Sequence, residues 1–362
     1  MKRNSLTFQS LSSCFSNEGD EEICERDPDK VEKEIMNKDI ITLGHGSGAG
    51  LTRKLVSAVF DHHFRLTSLT DGVEIENRTV VTTDAHVIKP VFFPGGDIGR
   101  LAVSGTVNDV CMSGAVPAYL LAAFILEEGF ALSDLKKIVL SMQTTAEEAG
   151  VRIIAGDTKV VEKGKCDGIY ITTTGIGFLP ENVHLSTSKI KIGDRIIVNG
   201  TLGDHTVAII NARQNLQLDP VPRSDCAPLN ELVQLMLAGG ELRFLRDLTR
   251  GGLATILNEI TEDTGTGIII DETALPIKDA TQALCGLLGL DPLYLANEGK
   301  LVGFIDGETE TLIAKMQNHQ YGKESAQIGE VTDKVKGVYL RTSIGGLRPL
   351  PLLESDPLPR IC

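Results

Sequence analysis

Short apolar segments with strand spacing alternate with segments of helix spacing along this chain, and the mixture is laid down twice. In the first half, residues 79–83 form a β-branched run that ends on Asp84. Residues 95–112 carry a small-residue face (Ile98, Leu101, Ala102, Gly105) and read as a helix with Asn108 and Asp109 on its last turns. The clearest helix spans 133–150, where Leu135, Ile138, Val139, Met142, Ala146 and Ala149 form one stripe, with Ser133 placed to cap it and Gly150 to end it. Strands are expected at 151–155 and 169–174. After a polar link at about 181–190 the mixture returns. It comprises a strand at 195–199, helices near 206–214 and 229–238, and a helix with Leu253, Ile256, Leu257 and Ile260 at i, i+3, i+4 and i+7. Strands follow at 268–270 and 301–305. This order lacks the strict βαβα alternation of a Rossmann fold and predicts an α+β fold of two units.

A length of 362 residues is also long for one core. The predicted division is an extension over 1–37, polar and acidic after a Ser-rich start, then domains over 38–180 and 181–350 and a tail over 351–362. Net charge is 35 − 49 = −14, which argues against a nucleic-acid partner and suits a cytoplasmic enzyme. No apolar run approaches the roughly 20 residues that span a bilayer, and no apolar h-region follows the basic start. Seven dispersed cysteines without a C-x-x-C pair read as reduced thiols.

The last nine residues, Glu354-Ser355-Asp356-Pro357-Leu358-Pro359-Arg360-Ile361-Cys362, place a thiol at the end of a proline-restricted tail. Proline fixes φ and removes a donor, so the tail is expected to be extended and mobile. From Pro357 to Cys362 it would reach roughly 20 Å. Either Cys362 is a frayed, inert terminus, or it is a carrier that needs a second site to visit. A prenylation box is excluded, because its cysteine stands four from the end.

Four aspartates at expected element ends, Asp84, Asp109, Asp157 and Asp247, supply the oxygen ligands that Mg²⁺ and a nucleotide's phosphates call for. Capping and turn chemistry is the plain alternative for each of them. Gly44-His45-Gly46-Ser47-Gly48, between an expected strand at 40–43 and a helix at 51–60, either bends the chain or lets backbone N–H groups approach a phosphate. Lys159 could neutralise a phosphate or polarise an oxygen. Glu298 is either a positioned base or a solvated turn carboxylate.

Taken together, Gly44-His45-Gly46-Ser47-Gly48, Phe92-Phe93-Pro94-Gly95-Gly96-Asp97, Gly105-Thr106-Val107-Asn108-Asp109, Gly156-Asp157-Thr158-Lys159, Gly203-Asp204-His205, Ala296-Asn297-Glu298-Gly299-Lys300 and terminal Pro359-Arg360-Ile361-Cys362 resemble the hydrogenase maturation factor HypE family. That family belongs with aminoimidazole ribonucleotide synthetase and selenophosphate synthetase. The resemblance implies a two-domain aminoimidazole ribonucleotide synthetase-like fold with a flexible C-terminal tail, paired as a homodimer through the N-terminal domains. It further implies that a HypF-type carbamoyltransferase loads Cys362, and that ATP with Mg²⁺ drives dehydration of the thiocarbamate to a thiocyanate. The cyanide would pass to iron on a HypC–HypD scaffold, for a NiFe-hydrogenase. On this resemblance Cys362 is the carrier, Glu298 the base and Lys159 the residue that steadies oxygen or phosphate. Gly44 to Gly48, Asn108 and the four aspartates would hold the nucleotide and its metal. Ala49 departs from the family, which often has a further glycine there. Two rival classes are another enzyme of this superfamily acting on a free small molecule, as in selenophosphate synthesis, and a non-catalytic cysteine carrier.

Overall fold

The computed structural model describes residues 40–64, 70–216, 218, 220–355, 358 and 361. The predicted extension over 1–37 and Cys362 itself lie outside the described residues. The first described segment departs from the expected strand at 40–43. Leu43–Gly46 is a 3-10 turn and helix α1 (Gly50–Leu55) follows it. Ile40, Ile41 and Leu43 are exposed and pair with no strand, which shows that β propensity needs a packed neighbour to act. Ala49 sits at the start of α1 with φ −93°, a conformation any residue adopts.

The first sheet contains β1 (Val73–Ile75), β2 (Thr79–His86), β3 (Val116–Glu127), β4 (Arg152–Val161) and β5 (Ile169–Phe178), in the order β1-β2-β5-β3-β4. Neighbours run antiparallel except β3 and β4, which are parallel. Strand β4 runs straight through Gly156-Asp157-Thr158-Lys159, where a strand end was expected. Thr158, Val160 and Val161 are β-branched, and the ladder with β3 continues from Phe124 opposite Thr158 to Glu127 opposite Val161. As the edge strand, β4 is exposed along almost its whole length.

Helix α2 (Ile98–Met112) is capped by Asp97, whose Oδ1 accepts from the backbone N–H groups of Gly99 and Arg100 at 2.7 and 3.2 Å. Helix α3 (Leu132–Glu148) starts one residue before the predicted cap, so Ser133 lies inside it and Ala131 precedes it. The stripe residues Ile138, Met142 and Ala146 meet Ile98, Leu101 and Ala102 of α2 in one core with Leu120 and Ile171 of the sheet.

The second sheet has seven strands: β6 (Arg195–Val198), β7 (Glu241–Asp247), β8 (Gly267–Asp271), β9 (Leu301–Asp306), β10 (Ala326–Thr332), β11 (Gly337–Arg341) and β12 (Leu347–Pro349). Their order is β12-β11-β8-β10-β6-β9-β7. Helices α4 (Asp204–Gln214), α5 (Asn230–Gly239) and α6 (Gly252–Thr264) accompany it. Leu253, Ile256, Leu257 and Ile260 of α6 pack on Ile268, Ile270, Val302 and Phe304, as their spacing requires.

Helix α2 joins the two units. Thirteen of its fifteen residues are buried. Its early turns belong to the first core, together with Ile209, Cys226 and Ala296 of the second unit. Cys111 and Met112 enter a core with Leu232, Leu245 and Met316. Arg100 fastens the same junction, donating to the Cys226 carbonyl at 2.8 Å, to Glu148 at 2.8 Å and to the Tyr321 hydroxyl at 3.1 Å. No helix among the described residues is long and apolar enough to cross a membrane.

Phe304, which has no exposed surface, and Ile344, which is 94% exposed, set the two ends of the packing scale. Phe304→Ala is expected to lower unfolding free energy by about 3–5 kcal/mol. Ile344→Ala should stay within about 0.5 kcal/mol of the parent. Urea unfolding of both variants measures the difference.

Candidate active site

Three carboxylates from separate elements meet at the junction. Asp71 precedes β1, Asp109 lies on the last turns of α2, and Asp247 ends β7. One oxygen from each lies within 4.8 Å of the others. Asp71 takes the Arg246 guanidinium at 2.8 Å. Thr82 Oγ1 donates to the Asp71 carbonyl at 2.6 Å and stands 3.1 Å from Asp109 Oδ2. Asp84 lines the same cavity of about 260 Å³, with one oxygen accepting from the Ala85 N–H at 2.7 Å and the other 3.4 Å from His86 Nε2. Gly105 leaves room for Asp84, because a Cβ there would stand 3.3 Å from its Oδ2.

Burial and mutual repulsion dominate the electrostatics. Burial, then the charges of Asp247, Asp71 and Asp84, push the Asp109 carboxyl well above its ordinary range. Asp247 is pushed up to about 8 by burial and by Asp71, with Arg246 opposing. Asp71 is raised by burial and eased by Arg246. A crowded, desolvated set of carboxyl oxygens fits a hard divalent cation such as Mg²⁺, whose charge relieves the repulsion that raises these groups.

Glu298 lines the same cavity from the second unit. It is buried, and burial followed by the charges of Asp247, Asp84 and Asp225 lifts it well above the ordinary glutamate range. Among the described residues its Oε1 has no hydrogen-bond partner. The rest of its motif is scaffolding. Asn297 Oδ1 accepts from Gly203 N at 2.7 Å, the Glu298 N–H donates to Asp225 Oδ1 at 3.0 Å, and Lys300 pairs with Asp225 at 3.0 Å. Gly299 cannot carry a side chain, since a Cβ would stand 2.0 Å from the Asp225 carbonyl.

The other predicted residues are distributed differently. Of Gly44, His45, Gly46, Ser47 and Gly48, Gly48 lines the cavity, at φ +80° with its Cα against the Arg250 side chain. His45 Nδ1 accepts from Thr42 N at 3.1 Å, and Ser47 Oγ donates to the Gly44 carbonyl at 2.8 Å, so both hold the turn together. Asn108 faces away from the carboxylates. Its side chain donates to the Ala227 carbonyl at 3.1 Å and accepts from the Leu229 N–H at 2.8 Å, which makes it a strut between units. Within one chain Asp157 and Lys159 do not join the cluster. They form an exposed pair at 3.2 Å on edge strand β4, because that strand continues through them. Sequence reasoning missed Asp71, although Asp71-Gly72 before a strand repeats the Asp-beside-Gly signal used for the others. It also missed Arg246, which no spacing marks.

This chain and its fold match a known class. Residues 70–179 match the AIR synthase related protein N-terminal domain and 191–340 its C-terminal domain. The chain is 49% identical over 332 residues to carbamoyl dehydratase HypE of Cupriavidus necator, covering 89% of this chain and 95% of the relative. A crystal structure of a HypE–HypF complex superposes with a TM-score of 0.80 at 47% identity, covering 83% of this chain and 99% of that one. A HypE structure in complex with ATP gives a TM-score of 0.76 at 42% identity, covering 89% and 100%. The fold is thus that of an AIR synthase related protein. Within that class, the chain belongs to the carbamoyl dehydratase HypE family.

The raised carboxyls predict a pH signature. A group whose folded pKa lies above its unfolded value holds more protons when folded, so stability falls as pH rises between the two. For Asp247 that window runs from the ordinary 3.8 to about 8. Without divalent metal the melting temperature should decline through that window, and added Mg²⁺ should raise it more at pH 8 than at pH 6. Asp247→Asn should remove most of both effects in thermal melts.

Proposed function

We propose that this chain is an ATP-dependent carbamoyl dehydratase that converts a carbamoyl group on its own Cys362 into a thiocyanate, supplying cyanide for the iron of a NiFe-hydrogenase. The observation that carries the reading is the convergence of Asp71, Asp84, Asp109, Asp247 and Glu298 on one cavity between the two units. It is supported by the relatives' name and by the HypE structure that holds ATP.

The amide oxygen of a thiocarbamate is a poor leaving group, and phosphoryl transfer from ATP makes it a good one, with Mg²⁺ supplying charge neutralisation. Asp71, Asp109 and Asp247 would hold the metal, and Asp84 would reach it from the cavity wall. Gly48, which presents no side chain, would let the loop before α1 approach the phosphates. Glu298 would take the amide protons. Burial raises its proton affinity most, and the charges of Asp247 and Asp84 add to that; with those charges neutralised, Glu298 would be a carboxylate of raised basicity.

Asp157 and Lys159 fit this scheme through a homodimer. The edge strand β4 presents open backbone together with Ile153, Ile154 and Val160, which are 39%, 50% and 67% exposed, and such an edge calls for a partner strand. A second copy pairing there would bring the exposed Lys159 and Asp157 to the other protomer, where the lysine could steady the oxygen that leaves. A HypF-type carbamoyltransferase is the expected donor, in keeping with the HypE–HypF complex, and a HypC–HypD scaffold is the expected acceptor. An enzyme acting on a free small molecule would not need Cys362.

Glu298→Gln keeps shape and removes the base. With a carbamoyl donor and ATP it should accumulate carbamoylated Cys362, whereas Cys362→Ala should leave the C-terminal peptide unmodified while ATP still binds. Asp71→Asn should reduce turnover at least about 100-fold, the scale of one lost metal-site contact. Intact mass of the C-terminal peptide reads the first two, and phosphate release the third. Dehydrated peptide formed by Glu298→Gln at the parental rate would move the base elsewhere.

A further inference from the structure

The tail was expected to be extended and mobile, and its penultimate residue is buried. Ile361 is 4% exposed and shares a core with Phe93, Ile209, Cys226 and Ala296. Leu358 packs on the same core and on its neighbour beneath α4. A proline-restricted backbone still carries two apolar side chains, and burying them favours docking over solvent. The contact with most information is polar. The Ile361 carbonyl lies 2.8 Å from His205 Nε2. A carbonyl can only accept, so Nε2 carries the proton. Nδ1 of the neutral ring then accepts from the Ser224 hydroxyl at 2.7 Å. The imidazole is wholly buried, with Phe93 edge-on at a centroid distance of 5.6 Å.

His205 is built into the same frame as Glu298. It follows Gly203, whose N–H is bound by Asn297, and precedes Thr206, whose hydroxyl donates to the Ala296 carbonyl at 2.9 Å. On the other side Ser224 is joined to Asp225, which accepts from the Glu298 N–H. Ser224 is itself clamped by the Pro94 carbonyl, which accepts its N–H at 2.8 Å, and by Gly95, where a Cβ would stand 2.6 Å from the Ser224 carbonyl. The path from His205 through Ser224, Asp225, Glu298, Asn297 and Gly203 back to His205 is a closed ring of bonds. It fixes the site that holds the tail relative to the proposed base.

We propose that His205 is a positioning residue, a latch that grips the Ile361 carbonyl and so registers the adjacent Cys362 against the catalytic cavity. The latch binds main chain, so it holds the tail whether or not the thiol is modified. A neutral hydrogen bond and an apolar contact are reversible, as a tail that must also leave requires. Two motifs that hold no carboxylate of the cavity, Phe93-Pro94-Gly95 and Gly203-Asp204-His205, gain a shared purpose as the walls of this dock. The meaning given to Cys362 rests on the dehydratase reading, but the dock does not.

The test uses the full chain alone, without ATP or carbamoyl donor, so failure of the dehydratase reading would not affect it. Iodoacetamide is the probe, and the alkylation rate of Cys362 is read from the mass of the C-terminal peptide. Losing the latch should raise that rate about 5- to 10-fold in His205→Ala, the scale of one neutral hydrogen bond. His205→Gln, whose amide can still donate to the carbonyl, should stay within about twofold of the parent. Cys111, buried in the separate core with Leu232 and Met316, reports on the fold in the same digest. A His205→Ala rate equal to the parent's, with Cys111 protected, overturns the proposal. If Cys111 becomes reactive as well, the core has opened and Ile361→Ala decides, since that change trims the tail's own anchor. Faster Cys362 alkylation with Cys111 protected upholds the dock, and an unchanged rate overturns it.

Discussion

Burial of helix α2 on all sides is the constraint on which the rest of the molecule depends. A helix can be enclosed by two sheets and their helices only if its surface is small and apolar, and Ala102, Gly105 and Val107 make it so. The same enclosure makes its polar residues consequential. Asn108 has no water to turn to, so it binds the backbone of the second unit, and Asp109, one residue on, is delivered into the acidic cavity. One helix thus both joins the units and loads the site between them.

That arrangement makes the cavity expensive in electrostatic terms. Three carboxylates from a loop, a helix end and a strand end are brought together where solvent screens them poorly. Arg246 relieves Asp71, but Asp109 and Asp247 keep strongly raised proton affinities. Cation binding and Glu298 are linked through Asp247 and Asp84, whose charges add to burial in raising the glutamate's proton affinity. Charge on the cavity therefore contributes to the state of its base.

The two halves of the site have opposite mechanical characters. The carboxylate cluster and the ring around His205 rest on buried hydrogen bonds and ion pairs, including the Asp225–Lys300 pair, with side chains 4% and 11% exposed. Among the described residues, the tail enters through the Ile361 carbonyl and the side chains of Ile361 and Leu358. A well-bonded receiver with a detachable arm would suit the carrier role proposed for Cys362, since such an arm has to dock in register and also be released.

The sequence by itself determined the kind of fold and most of the chemistry. Its helix stripes and most of its β-rich runs settle on the elements they imply, the run at 40–43 excepted, because apolar periodicity is a local property while a strand also needs a neighbour to pair with. Asp84, Asp109, Asp247 and Glu298 were legible as candidates because they stand next to glycine-bearing or strand-ending segments. Tertiary structure alone decided which of them meet. It admitted Asp71 and Arg246, sent Asp157 and Lys159 to an open edge strand, and turned Asn108 into a strut. It also drew Ile361 inward against His205, 156 positions away in sequence. No local pattern encodes such pairings, because they depend on which surfaces are left to be covered once both sheets have closed around one helix.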